Sequence, residues 1–432
     1  MRKVFILLCV MPIVVVATAK NFTVISEKKN HPVVATSRVE IQKILLHLNH
    51  MTSQHQNIQN VETQKLVYLS QVFGGVPYGA EGAEGEGDWQ PNSLVYRSGG
   101  VHIQQDPVYR TDQFDCQTLV EIFFGLLHAR NLNDFDQHIL KIEYGAAGAG
   151  TSVHYYNRNN FVDADFNPVN EKNDYLYDAT TLGMWKRYFK TTSALIDRNA
   201  WFHHQVRPGF LGLNVRVLSE KNGRAMAERL ANHYPDAYVS FKPTRVSMTY
   251  IPKAVLVQSV TEPDGVVMYR PRTDWINQLP VPSVIEIVRD PNVWMFGNKS
   301  IQDAIGTQMN VSHLGFLYRE NFLKGEVIAR NVECQFSFRR KTCRVIPEYC
   351  TQKMCTETMM MHATDAYPNH YFYYGKQGHF YCTRTLPKGV SATRCNRVVS
   401  MPLGDYLVEK QNDQAIVMDE PSILGIHLEK LR

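Results

Sequence analysis

One cysteine and two histidines hold most of the chemistry this sequence offers. Cysteines stand at 9, 116, 334, 343, 350, 355, 382 and 395. Six crowd into the span from Cys334 to Cys395, Cys9 lies in an apolar leader, and Cys116 is over two hundred residues from the cluster. Removing the leader leaves an odd number, so the economical reading is three disulfides in the C-terminal region and one thiol, Cys116. The spacing does not choose among the possible pairings. Zinc is the rival reading of the cluster, but Cys334-x8-Cys343-x6-Cys350-x4-Cys355 lacks the tight pairs of zinc ribbons and fingers.

Cys116 follows Phe114-Asp115 and precedes an almost continuous apolar run from Leu119 to Leu127. This pattern predicts a buried central helix capped by Asp115, with Cys116 in its first turn. There the sulfur meets the positive end of the helix, which favours thiolate, and backbone amides that can hold an oxyanion. Such a nucleophile needs a base oriented by a third group. His313 opens a strand-like run with Gly315 two residues on, and His362 closes the apolar run Met359-Met360-Met361. If the two strands are neighbours, His362 accepts from the His313 imidazole and fixes its tautomer. Asp365 is the alternative orienting group. The plainer readings are a buried inert thiol and structural histidines.

The elements that must position these groups are partly visible. Ser37-x-x-Glu40 reads as a capping box ahead of Ile41, Ile44, Leu45 and Leu48. A second helix is predicted over Val61–Phe73, stopping at Gly74-Gly75. The stretch Gly79–Gly87 carries Glu81, Glu84 and Glu86, the wrong charge for a phosphate cradle, and reads as a lid or connector. Residues 173–236 read as a polar, helical insertion. Strands are expected at 254–260, 266–269, 284–288, 314–318, 326–328 and 371–374. Helices first and strands afterwards give an α+β class with the sheet in the C-terminal half.

Composition narrows the functional classes. Of 432 residues 44% are hydrophobic, which excludes a disordered chain, and Lys+Arg 46 against Asp+Glu 41 leaves no basic stripe for nucleic acid. Arg2-Lys3, the run Val4–Val16 and Ala17-Thr18-Ala19 read as a secretory signal peptide over 1–19, too short for a membrane span. The expectation is an exported protein, periplasmic or secreted and not integral to a membrane, with residues 20–432 as one domain.

Three ordered motifs are specific enough to compare with known families: Phe114-Asp115-Cys116-x-Thr118-x-x-Glu121, His313-x-Gly315-Phe316 and His362-Ala363-Thr364. With Arg158-Asn159-Asn160-Phe161, Asp165-Phe166, Gly404-Asp405-Tyr406-Leu407 and Gly425-Ile426-His427-Leu428, the set resembles the NlpC-type cell-wall cysteine peptidases. Within them it is most similar to the AmiA-like N-acetylmuramoyl-L-alanine amidase family. The resemblance implies a papain-like α+β fold, its nucleophile helix packed on an antiparallel β-sheet. It implies Cys116 as nucleophile, His313 as base and acid, and His362 as the orienting group. Asp115, Thr118, Arg158 and Asp365 become candidates for oxyanion or substrate contacts. The substrate and partner implied are peptidoglycan or muropeptides, with no cofactor and no metal.

The departures from the family pattern are informative. Asn159-Asn160 replaces a histidine, and Leu119-Val120 replaces Phe-Val. His313 and His362 are 49 positions apart, a gap read as a disulfide-rich insertion over about 330–358. A stem-peptide endopeptidase and a non-enzymatic, disulfide-stapled binding module are the alternative functions.

Overall fold

The computed structural model describes residues 32–54, 58–79, 94–97, 100–103, 109–145, 158–198, 200–201, 242–261, 267–337, 340–374, 380–383, 393–408, 410–411, 415–416 and 420–432. The expected leader, the glycine-rich stretch beyond Gly79 and residues 202–241 lie outside the described residues.

Four helices form the N-terminal layer: α1 (Pro32–Gln54), α2 (Ile58–Phe73), α3 (Cys116–His128) and α4 (Leu132–Tyr144). In α1 the residues Ile41, Ile44, Leu45 and Leu48 recur at helical spacing and are all buried. The capping-box reading of Ser37 and Glu40 is corrected, because α1 already starts at Pro32. Ser37 Oγ accepts from the Thr111 amide (3.0 Å) and the Glu40 carboxylate from the Thr111 hydroxyl (2.5 Å). These two bonds fasten α1 to the segment leading into α3. Helix α3 is buried from Gln117 to Leu126, and Gly125 lets α4 approach. A Cβ at Gly125 would fall 2.7 Å from the Phe135 ring.

Among the described residues the main sheet has nine strands, all antiparallel to their neighbours. They include β1 (Leu176–Asp178), β2 (Lys190–Ile196), β3 (Thr244–Pro252), β6 (Ser283–Arg289) and β7 (Val311–Leu323). The remainder are β10 (Met354–Tyr374), β11 (Phe380–Thr383), β12 (Thr393–Pro402) and β13 (Ile423–Leu431). Their order is β11-β10-β7-β6-β13-β3-β2, with β12 also paired to β10 and β1 to β13. A second sheet orders β9 (Arg340–Tyr349), β8 (Val327–Ser337), β5 (Val267–Pro271) and β4 (Val257–Thr261). The α+β class stands.

Both faces of the main sheet are covered, which explains the apolar runs Leu314–Tyr318 in β7 and Met359–Met361 in β10. Val284, Val288, Leu314, Phe316, Tyr318, Met359 and Met361 face the helices, with Phe316 against Phe123 (5.4 Å between ring centroids) and Phe124 (5.7 Å). Ile285, Ile287, Leu317, Met360 and Met401 face the other way, under a short helix, α5 (Leu403–Val408).

Two expectations change. The described part of the 173–236 insertion contains, besides a 3-10 helix (Gly183–Arg187), the strands β1 and β2, each completing the sheet through a distant partner, β13 or β3. The insertion between the two histidine strands is the β8–β9 hairpin, in which Cys334 and Cys343 are register partners. Among the described residues one disulfide is present, Cys350–Cys355, closing the turn between β9 and β10. The side chains of Cys334, Cys343, Cys382 and Cys395 lie outside the described residues.

Candidate active site

The start of α3 is built locally. Asp115 is extended at the N-cap and its carboxylate accepts from the Thr118 amide at 2.7 Å. Thr118 Oγ1 in turn accepts from the Asp115 amide at 3.0 Å. Two of the four side chains expected at the oxyanion or substrate, Asp115 and Thr118, are thus engaged in a reciprocal cap. Cys116 follows in the first turn, half-buried, its sulfur outside any disulfide. Gln117 Nε2 donates to the Asn159 carbonyl (2.6 Å) and to Glu121 (3.0 Å).

Arg158 is placed differently from its expected role at the substrate. Its guanidinium is 1% exposed beneath α3, paired with Glu121 and 3.6 Å from Glu143. Burial pushes the Glu121 carboxyl upward and the Arg158 charge opposes it. Arg158 therefore anchors α3 from inside the core.

The two histidines come together across β7 and β10. His313 Nε2 lies 2.7 Å from His362 Nδ1, with the rings nearly perpendicular at 83°. His362 is fully buried. Gly315 makes the approach possible: a Cβ there would lie 2.6 Å from the Met361 carbonyl oxygen and 3.1 Å from His362 Cβ. The Asp365 side chain lies outside the described residues.

A backbone route joins this pair to the thiol. His362 is opposite Val399 of β12. The next residue, Val398, accepts from Gly75 N and donates to Val76 O, both at 2.8 Å. Pro77 O then accepts from Phe114 N at 3.1 Å, and Phe114 leads into Asp115-Cys116. The segment 75–79 thus serves as an extra strand, turned at Gly75 (φ 85°).

Tyr406 of α5 packs on the histidine pair and lies within electrostatic range of the thiol. Its ring is nearly parallel to His313 (15°, 6.2 Å) and perpendicular to His362 (82°, 5.3 Å). Burial raises its hydroxyl pKa, Arg289 opposes that, and the charge of the nearby Cys116 sulfur adds to it. Burial and then the Arg289 charge pull His313 down to about 4, and burial beside His313 pulls His362 well below its ordinary value. Both imidazoles are therefore neutral near pH 7. With the shared proton on His313 Nε2, the Nδ1 atom of His313 is left as a base.

Tyr406 and Arg289 acquired no role from sequence reasoning. Tyr406 was visible only as part of the Gly404–Leu407 motif, and Arg289 lies just past the expected strand 284–288. A third group, His427, is buried on β13. Its Nε2 donates to Glu429 (2.8 Å) and its Nδ1 to the Thr249 carbonyl (2.9 Å). Burial pulls it down, yet Glu429, Glu286 and Asp178 together lift it to about 9. Glu286, its register partner on β6, is pushed up to about 8 by burial. Among the described residues no group of three or more His, Cys, Asp or Glu is arranged to hold a metal, and no helix is long and apolar enough to cross a membrane.

Comparison with known proteins bears on this geometry. The AmiA-like family model, described as N-acetylmuramoyl-L-alanine amidase-like, matches residues 68–335. A crystal structure of a DUF1460 protein from Legionella pneumophila str. Philadelphia 1 is 21% identical, covering 92% of this chain and 95% of its own, with a TM-score of 0.54. An N-acetylmuramoyl-L-alanine amidase from Bacteroides uniformis ATCC 8492 is 16% identical, covering 84% and 96%, with a TM-score of 0.39. No curated protein matches. The first solved structure shares the fold.

Proposed function

The chain belongs to the AmiA-like, N-acetylmuramoyl-L-alanine amidase-like family, and from that premise we propose that it is an exported cysteine amidase of the bacterial cell wall. The scissile bond in this reading is the amide between the muramic lactyl group and L-Ala. Residues 20–432 form one catalytic domain of papain-like, NlpC-type architecture, and residues 1–19 direct export.

The observation that carries the reading is a tyrosine, Tyr406, whose ring packs on a neutral imidazole pair and whose hydroxyl feels the charge of the helix-start thiol. His313 Nδ1 takes the Cys116 proton, and the sulfur attacks the amide carbonyl. The developing oxyanion is held by backbone amides at the start of α3, where the helix dipole favours negative charge. The protonated His313 then donates to the departing amine, and the same nitrogen activates water to release the acyl group from sulfur. His362 holds the His313 ring in register throughout, accepting from Nε2. Every step uses groups of this chain.

The test is product analysis on a defined muropeptide. The wild type should release a peptide with a new L-Ala amino terminus together with the intact muramic acid, both identified by mass. Cys116→Ala should lower turnover by more than about 10⁴-fold while melting like the parent. A peptide cut within the stem, or undiminished release by Cys116→Ala, would overturn the assignment of bond or nucleophile respectively.

A further inference from the structure

The site contains one cation that these steps do not use. Ile287 is the register partner of His313, so Arg289, two residues further along β6, lies on the same face of the sheet as that histidine. Its guanidinium stands over the Trp294 ring at 4.9 Å, and Nη1 donates to Ser422 Oγ at 2.5 Å. Glu420 stands 3.9 Å away, at the long end of an ion pair, and the arginine side chain is 13% exposed. Its Nε is buried, and among the described residues no atom accepts from it. A charged donor of this kind, rigidly seated and short of an acceptor, is built to receive one.

The placement is otherwise unfavourable to the chemistry. A cation beside a general base disfavours the protonated base and weakens it. The disadvantage disappears when an anion joins the cation. Glu420 already supplies part of one negative charge, so a monoanion suits the remaining edge better than a doubly charged phosphate.

We propose that Arg289 is the receptor for a carboxylate of the substrate, bound at its Nε edge beside the His313–His362 pair. This deepens the amidase reading and rests on it. The substrate class becomes muropeptides with a carboxylate a few bonds from the scissile amide, such as the α-carboxylate of D-Glu in the second stem position. Recognition and base strength are thereby coupled. The groups facing His313 are Arg289 from β6, His362 from β10 and Tyr406 from α5, whose hydroxyl also feels the charge of Cys116; Glu420 faces Arg289 from the segment ahead of β13. A carboxylate on Arg289 offsets the charge that depresses His313, so the base strengthens only when this substrate is in place.

The test compares two soluble muropeptides, muramyl-L-Ala-D-Glu and its D-isoglutamine form, which differ only in that carboxylate. Wild type should show a kcat/KM for the carboxylate form about 10- to 100-fold above the amide form, the difference a charged hydrogen bond supplies. In Arg289→Gln the ratio should collapse toward one. The acidic limb of kcat for the carboxylate form should lie at higher pH than that of kcat/KM in wild type, and the gap should close in the variant. Arg289 also holds Ser422 and Trp294; should Arg289→Gln fail to fold, Arg289→Lys keeps the charge without Nε and should lose most of the ratio. A wild type that cleaves both forms equally through Cys116 overturns the carboxylate receptor and leaves the amidase reading intact. A ratio retained in the variants makes Arg289 a structural anchor and equally overturns the receptor. Cleavage of neither form, on these or larger muropeptides, removes the amidase reading itself.

Discussion

Two buried imidazole sites occupy opposite faces of one sheet, and they titrate in opposite directions. His313 and His362 face α5 and have each other, a tyrosine and an arginine for company. His427 faces the helical layer and is hydrogen-bonded to Glu429, beside Glu286 and Asp178. Burial alone lowers every one of them. What separates about 4 from about 9 is the sign of the neighbouring charge. Burial and the Arg289 charge keep His313 free of a second proton, the state in which an imidazole can accept one from a thiol. A structural cation needs carboxylates, and His427 has them.

After that of losing Cys116, the largest expected effect comes from removing His313 or His362. His313→Ala should cut kcat by about 10³- to 10⁴-fold and His362→Ala by about 10²- to 10³-fold, with melting temperatures near the parent. If His427→Gln, measured as a folded protein, lowers kcat as far as His362→Ala does, the division between the two sites is wrong.

The next effect is on stability. Glu429→Gln leaves His427 without its carboxylate and should cost about 3–5 kcal/mol in chemical denaturation at pH 7. The sign with pH follows from the raised values. His427 rises from 6.5 to about 9 on folding, so its contribution is complete below about 6.5 and is lost as pH rises through 9. Glu286 rises from 4.5 to about 8, so the folded state again holds the extra proton and that share is lost between those values. His313 works the other way, its contribution being present above 6.5 and lost as pH falls through about 4. The melting temperature should therefore decline from near-neutral pH toward pH 9, and Glu429→Gln should flatten that decline. An alkaline limb equally steep in the variant would show that His427 is not charged in the native state.

The smallest effect belongs to Tyr406→Phe. The ring that packs on both histidines remains and only the hydroxyl is removed, so kcat should fall by about tenfold or less, without a change in melting temperature. Tyr406→Ala, which removes the ring, should cost more. Equal losses in the two variants would assign the effect to the hydroxyl.

The sequence was most legible where structure is local. Asp115, Cys116 and Thr118 lie within one turn, and their types alone dictate a capped helix start. Long apolar strands such as Val284–Val288 and Leu314–Tyr318 were equally plain, because both faces are buried. Readings went astray where a local pattern was answered by a distant partner. Ser37 and Glu40 have capping-box spacing, yet Thr111 takes both side chains. Arg158 has the chemistry of a substrate contact, but Glu121 and Glu143 claim it inside the core. Strands β1 and β2 are short and polar, and only β13 and β3 make them strands. One missed signal was available: in a strand, His427 and Glu429 share a face, so His-x-Glu there reads as a buried pair.

The backbone bridge between thiol and imidazoles has a consequence for when the chemistry can begin. The strand that links them, Thr393–Pro402, and the tyrosine that packs on them, Tyr406, come after all three reactive residues in chain order. A polypeptide still on the ribosome, or truncated ahead of Thr393, already contains Cys116, His313 and His362 but lacks the piece that registers one against the others. On the proposed reading, an unfinished copy lacks an assembled site until synthesis is nearly complete.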